Sequence, residues 1–513
     1  MNGTDELFDL VVVGGGINGT GTAADAAGRG LKVFLCEQND LASATSSNSS
    51  KLIHGGLRYL EHYEFKLVRQ ALTEREVLLK NAPHIITPLT FRLPHQRHLR
   101  PSWLIRAGLF LYDNLAKRVT LPASKGLKFS KDSPLVNNIT KGFEYSDGWV
   151  DDARLVVLNA VAAQDNGATI KTQTKCIKAI RKNDIWLITL KNNLTGETYT
   201  VKSKSVVNAS GPWVAQLFSQ ALALKSPQNI RLIKGSHIVV PRIHNEPQAY
   251  MLQNADQRII FVIPFEEDFS LIGTTDVEYT GEPSEVKISE DEIQYLLTIT
   301  NQYFKNKICR DDIVTTYSGV RPLLDDESVD AQAVTRDYTL EIEDINDKAP
   351  ILSIFGGKIT TYRKLSEAAV DKLIPYFKNI GPQWTAKSPI PGGNFENINI
   401  FTDEVEKAYP WLPKKIRTRF IRSYGTRLFA LLNNSSNISA LGRSFGADLF
   451  EQEIDFLIEH EWATNVEDII WRRTKRGLYL TTLEVKEIAH YINTHPITVA
   501  RKTPKLVKAV EVA

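Results

Sequence analysis

A strand, a glycine-rich turn and a helix open the chain, β-branched stretches fill its middle, and charged helical patterns end it. Together these predict an α/β fold of three parts: a Rossmann-like dinucleotide-binding domain, an antiparallel β-sheet domain and an all-helical C-terminal domain.

The first part rests on residues 8–37, FDLVVVGGGINGTGTAADAAGRGLKVFLCE. The apolar run Leu10 to Val13 reads as a buried parallel strand, and Gly14, Gly16 and Gly19 follow in G-x-G-x-x-G spacing. The first glycine permits a tight turn, the second lets a pyrophosphate approach the backbone, and the third allows the helix to pack closely. The helix N-terminus then presents amides and a positive dipole end to phosphate. Ala23, Ala27 and Gly30 keep it slim, Val33 starts a second strand, and Glu37 stands where an acid would bind a ribose hydroxyl.

Composition sets outer limits. At 513 residues the chain has room for roughly three domains. A net charge of +3 gives no case for nucleic acid as a partner. Cys36, Cys176 and Cys309 are far apart and form no C-x-x-C pair, so neither a disulfide framework nor a metal site is expected and a reducing cytoplasm fits. The start MNGTDELFDL lacks the basic and apolar regions of a secretory signal. No apolar run reaches the ~18 residues of a spanning helix, which leaves a soluble protein or one attached to a membrane surface.

In chain order, Ser43 to Ser50 form a hydroxyl-rich stretch followed by Lys51, His54, Gly55, Gly56, Arg58 and Tyr59. Composition alone reads this as a linker; its place directly after the dinucleotide unit reads it as backbone running along a cofactor. Residues 64–80 show helical spacing, ended by Pro83 and Pro88, and 91–100, with His95 and His98, read as a basic loop. Trp103 to Leu115 is an apolar helix followed by Lys117 and Arg118, suited to a membrane interface or to a core. Short strands are expected between Ala168 and Val207, leading to a strand that ends in Asn208, Ala209, Ser210 and Gly211, small residues that leave room for a cofactor. RLIKGSHIVVP, RIIFVIPF and SLIGTTD predict an antiparallel sheet, continued by VTTYSGVRP and then RDYTLEIED. ILSIFGGKITTYRKLSEAAVDKLI repeats the strand, glycine turn and helix of the N-terminus. Pro389 to Gly393 mark a linker into a helical region with no catalytic constellation of its own.

With these segments in view, the chain resembles the FAD-dependent, aerobic respiratory glycerol-3-phosphate dehydrogenases. The likeness is carried by GGGINGTGTAADAAGRGL, TSSNSSKLIHGGLRYLEHYEF, GFEYSDGWVDDARL, IRLIKGSHIVVPR, IGTTDVEY, TYSGVRPL, FGGKITTYRKL and WRRTKRG, spread over nearly the whole chain. It implies FAD as cofactor and a discontinuous FAD-binding domain of residues 1–75, 145–229 and 340–385. A substrate domain of 76–144 and 230–339 and a helical domain of 386–513 complete the expected division. The flavin set becomes Gly14, Gly16, Gly19, Glu37, Thr45, Ser46, Ser47, Ser50, Lys51, His54, Gly211, Gly357, Lys358 and Thr360.

The implied reaction converts sn-glycerol 3-phosphate to dihydroxyacetone phosphate, with electrons passed to membrane quinone. Arginine suits the phosphate because its planar fork holds two oxygens at once, and Arg58, Arg321 and Arg336 are the candidates, with Tyr59, Thr274 and Asp276 beside them. A base must take the hydroxyl proton. His237 and His54 both qualify, His237 being preferred because it should project from the substrate domain. Lys358 would place a cation where the reduced ring gathers charge. The expected location is the cytoplasm, peripheral on the inner face of the cytoplasmic membrane, with the Trp103 helix or the run Tyr362 to Leu373 as the contact and a homodimer among the partners allowed. Rival readings are a glycerol-3-phosphate oxidase that uses oxygen and a non-catalytic FAD-binding scaffold.

Overall fold

Leu7–Val13 lies at the centre of an eight-stranded sheet, between Val33–Cys36 and Thr198–Asn208 and parallel to both. Thr169–Lys171 and Lys348–Phe355 extend the parallel run on either side. The structure, a computed structural model, describes residues 6–96, 99–254, 256, 258–325 and 337–502, without the side chains at 58, 62, 499, 500 and 502. Leu10, Val11 and Val12 are wholly buried, as a strand covered on both faces must be, which is why they read as a continuous apolar run rather than an alternation.

Helix Ile17–Gly28 covers one face and packs against helices Asp152–Asp165 and Tyr362–Leu373. Contact with the last is close: a Cβ on Gly21 would lie 2.6 Å from Ser366 Oγ and 2.8 Å from the Tyr362 ring. The apolar side of Tyr362–Leu373, with Leu365, Ala369, Val370 and Leu373, is therefore spent on this core. That corrects its reading as a membrane-facing surface. The amphipathic pattern was real, but its apolar stripe meets protein.

The strands Thr174–Lys182 and Ile185–Asn192 form an antiparallel flap on Thr198–Asn208. At the other edge Thr339–Ile345 pairs antiparallel with Lys348–Phe355. The pattern RDYTLEIED is expected to continue the second sheet, although the expected domain division assigns residues from 340 onward to the cofactor domain. Asn346 and Asp347, both left-handed with φ of 52° and 58°, form a two-residue hairpin turn that ties it to its successor instead.

The second sheet has ten strands and is antiparallel except where Ala249–Gln253 runs parallel to Ile86–Pro94. Its spine is the long strand Ile230–Pro241, paired along one edge with Thr315–Leu324 and along the other with Phe269–Gly273 and Val277–Tyr279. Residues 91–94, expected in a loop, are strand and pair with Lys141–Val150, which crosses the expected boundary at 145. Helix Glu290–Tyr303 backs this sheet through a core that includes Ile238, Val240, Ile293 and Leu297. The C-terminal region is helical as expected, with its own core around Phe401, Phe420, Leu428 and Leu457.

Candidate active site

The parallel strands deliver their C-terminal ends to one place. Gly14, Glu37, Ala209 and Gly356 each follow such a strand directly, and all line a cavity of about 1020 Å³ between the two sheets. Ligands of open α/β sheets bind outside these strand ends.

At the nucleotide end Gly14 has φ of 117°, and a Cβ there would lie 2.4 Å from Ala209 O. Gly19 is behind the cavity wall, where a Cβ would strike Gly14 O at 1.9 Å; its use is the tight helix–strand contact. Gly16 caps helix Ile17–Gly28 and lines the cavity. The Glu37 carboxylate accepts Gly15 N–H at 2.6 Å and Asn39 N–H at 2.8 Å. Burial pushes its carboxyl up from the ordinary value, and these amides oppose that rise.

The hydroxyl-rich stretch is not a linker. Thr45 Oγ1 donates to Val320 O at 2.7 Å and Ser46 Oγ accepts Ile17 N–H at 3.0 Å, so the segment bridges the second sheet and the dinucleotide helix. Thr45, Ser46, Ser50 and His54 line the cavity, as do Gly211, Gly357, Lys358 and Thr360. Thr360 Oγ1 accepts the His54 backbone N–H at 3.3 Å. Ser47 and Lys51 are set back: Ser47 Oγ donates to Ala44 O, and Lys51 Nζ is buried against Asp152 at 2.7 Å and Ser47 O at 3.1 Å. Both shape the segment from beneath.

At the other end Tyr59, His237, Thr274, Asp276 and Arg321 share the cavity. Strand Ile230–Pro241 places His237 opposite Tyr317 in register, and the two rings stack at 4.8 Å between centroids. His237 Nε2 lies 2.9 Å from Ser50 Oγ, while Nδ1 is buried without a hydrogen-bond partner among the described residues. Burial, followed by the charges of Lys51 and Arg321, holds the imidazole well below its usual range, so it is neutral at pH 7. Arg321 is paired with Asp276, and its Nη2 is 3.3 Å from Thr274 Oγ1. A Cβ on Gly235 would lie 2.6 Å from both Arg321 Nη2 and Thr274 Oγ1, so glycine there makes the room. Lys358 Nζ sits 3.9 Å above the Tyr59 ring. Arg336 and the side chain of Arg58 lie outside the described residues.

Sequence reading missed the support beneath this end. Glu292 accepts Ser236 Oγ at 2.9 Å and Thr275 Oγ1 at 2.6 Å and pairs with Lys234 at 2.8 Å, fastening the strand of His237 to the turn of Thr274 and Asp276. Ser289-x-x-Glu292 before an apolar run was the available signal, a capping box that the structure contains. Tyr317 gave none, since the pairing that brings it to His237 spans 80 residues of chain.

The strand-end cavity, the glycine cradle and the bound acid fit a dinucleotide, and residues 9–361 match the family described as FAD dependent oxidoreductase. The protein is an oxidoreductase of that class, with FAD as cofactor. Residues 383–494 match the C-terminal domain of alpha-glycerophosphate oxidase. The chain is 55% identical over 488 residues to the aerobic glycerol-3-phosphate dehydrogenase of Escherichia coli (strain K12), covering 95% of this chain and 97% of that one. It is 50% identical over 484 residues to the D-erythritol 1-phosphate dehydrogenase of Brucella abortus, covering 93% and 96%. The solved glycerol-3-phosphate dehydrogenase of Bacillus halodurans, complexed with FAD, superposes with a TM-score of 0.74 at 26% identity, over 97% of this chain and 94% of that one. The chain belongs to the FAD-dependent, aerobic glycerol-3-phosphate dehydrogenase family.

Proposed function

We propose that the enzyme oxidises sn-glycerol 3-phosphate to dihydroxyacetone phosphate and passes the electrons to membrane quinone. The observation that carries this reading is His237, a buried neutral imidazole that shares one cavity with Arg321 and the flavin-lining segments.

FAD supplies the acceptor for the hydride that leaves the substrate carbon. The protein binds and orients the substrate and moves the proton. Arg321, steadied by Asp276 and Thr274, offers its fork to the phosphate, with Arg58, Tyr59 and Arg336 as further ligands. His237 Nε2 takes the hydroxyl proton, directly or through Ser50, and the Tyr317 stack fixes the ring plane. With FAD bound, His54, held by Thr360 through its backbone, would support the flavin, and Lys358 would place a positive charge beside the ring.

A quinone acceptor calls for contact with the bilayer. No helix among the described residues is long and apolar enough to cross a membrane. Helix Ser102–Asn114, however, buries only Leu109 and Tyr112 of its side chains and leaves Trp103 71% and Phe110 64% exposed. With Arg100, Lys117 and Arg118 at its ends it suits a bilayer interface, consistent with a peripheral enzyme on the inner face of the cytoplasmic membrane.

Steady-state assays with purified enzyme and a soluble quinone test this. A higher kcat/KM for sn-glycerol 3-phosphate than for a four-carbon polyol phosphate is expected. The reverse order would move the substrate assignment, and fast peroxide formation with oxygen alone would replace the quinone.

A further inference from the structure

The arginines of WRRTKRG reach from the C-terminal domain into the cofactor domain. Asp40, 2% exposed, accepts Arg473 Nη1 and Nη2 at 2.6 and 2.7 Å and Arg472 Nε at 2.6 Å. Arg473 is wholly buried and also donates to Glu461 O at 2.7 Å. Two further cations of the same segment serve other anchors: Lys475 pairs with Asp151, the cap of helix Asp152–Asp165, and Arg476 Nη2 meets Glu266 of the second sheet at 2.6 Å. One short segment thus ties the helical domain to the regions of both sheets.

Asp40 is placed as a pivot. Glu37, Gln38 and Asn39 before it and Ala42 to Ser46 after it line the cavity, whereas Asp40 itself does not. Its carboxylate is turned to the arginines of the C-terminal domain. Its backbone carbonyl accepts Ser43 N–H at 3.2 Å, the next residue but one donates Ala42 N–H to Gly15 O at 3.1 Å, and Asn39 closes the Glu37 carboxylate. Movement at Asp40 therefore shifts the acid, the glycine turn and the start of the hydroxyl-rich segment together.

We infer that Arg472 and Arg473 are positioning residues for the cofactor, through which the C-terminal domain fixes the wall at the adenosine end of FAD and slows its release. The inference rests on reading Glu37 as the ribose ligand.

The test is FAD binding to apoprotein, followed by fluorescence, with ADP as a competing probe for the adenosine half. Arg473→Lys keeps the buried charge but loses the two-pronged grip. It should weaken FAD roughly tenfold or more, the share of one charge-assisted hydrogen bond, and raise the ADP inhibition constant by the same factor. Arg472→Lys, at a partly exposed side chain, should move both in the same direction by less, and answers the question if the first variant fails to fold. FAD affinity within about twofold of the parent in the folded variants would overturn the inference, as would weaker FAD with unchanged ADP, since that places the loss away from the adenosine end. Glu37→Gln is the reference: if it leaves ADP binding unaltered the ribose reading itself fails, and if it alone weakens ADP the clamp fails.

Discussion

Replacing His237 with glutamine removes the proposed base while keeping a side chain that can still meet Ser50. General-base catalysis contributes about 10²–10⁴ in rate, or about 3–5 kcal/mol. The structure does not argue for the top of that range, because the burial that keeps the His237 ring neutral also weakens it as a proton acceptor. His237 is 2% exposed, so bulk water is poorly placed to substitute, and burial keeps the ring neutral at pH 7. The assay is anaerobic stopped-flow reduction of the bound flavin by sn-glycerol 3-phosphate. His237→Gln should slow this step by about 10²–10³ with little change in the substrate concentration for half-maximal rate. The parent rate should stay level between pH 8 and 6, because the pKa lies well below the ordinary 6.5. A variant within about tenfold of the parent would refute the assignment and turn attention to His54.

Arg321→Ala should raise the Michaelis constant for the phosphate substrate by roughly tenfold to hundredfold, from the loss of charge-assisted bonds; an unchanged constant removes Arg321 from that role. The contribution of two buried histidines to stability should fall as pH drops below 6.5, because burial lowers His84 to about 3 and His244 to about 4, so the unfolded chain binds these protons first. Each contributes up to about 1.4 kcal/mol per pH unit, while Asp25, raised to about 6 by burial, has the opposite sign. Urea midpoints between pH 7 and 5 should therefore flatten in His84→Gln, and an unaltered pH slope would contradict this. Trp103→Asp with Phe110→Asp should abolish flotation with anionic vesicles while leaving soluble-acceptor activity intact; unchanged flotation would place the contact elsewhere.

Local chemistry carried most of what was legible in the sequence. The strand, Gly14 to Gly19 and Glu37 lie within thirty residues, so the strand, glycine turn and helix could be read directly. Features that depend on pairing distant strands could not. Tyr317 reaches His237 only through sheet register, and the Lys51–Asp152 and Arg473–Asp40 pairs join residues 101 and 433 apart. The amphipathic pattern of Tyr362–Leu373 misled for the same reason, since periodicity gives an apolar face but not what covers it. The hydroxyl-rich stretch was ambiguous by composition and resolved by position, as Thr45 and Ser46 bond to opposite walls.

The most direct measurement mixes FAD-loaded enzyme anaerobically with sn-glycerol 3-phosphate and follows the flavin absorbance. The account predicts bleaching, one dihydroxyacetone phosphate formed per flavin, and return of the colour on adding quinone. A flavin that stays oxidised with this substrate would contradict it.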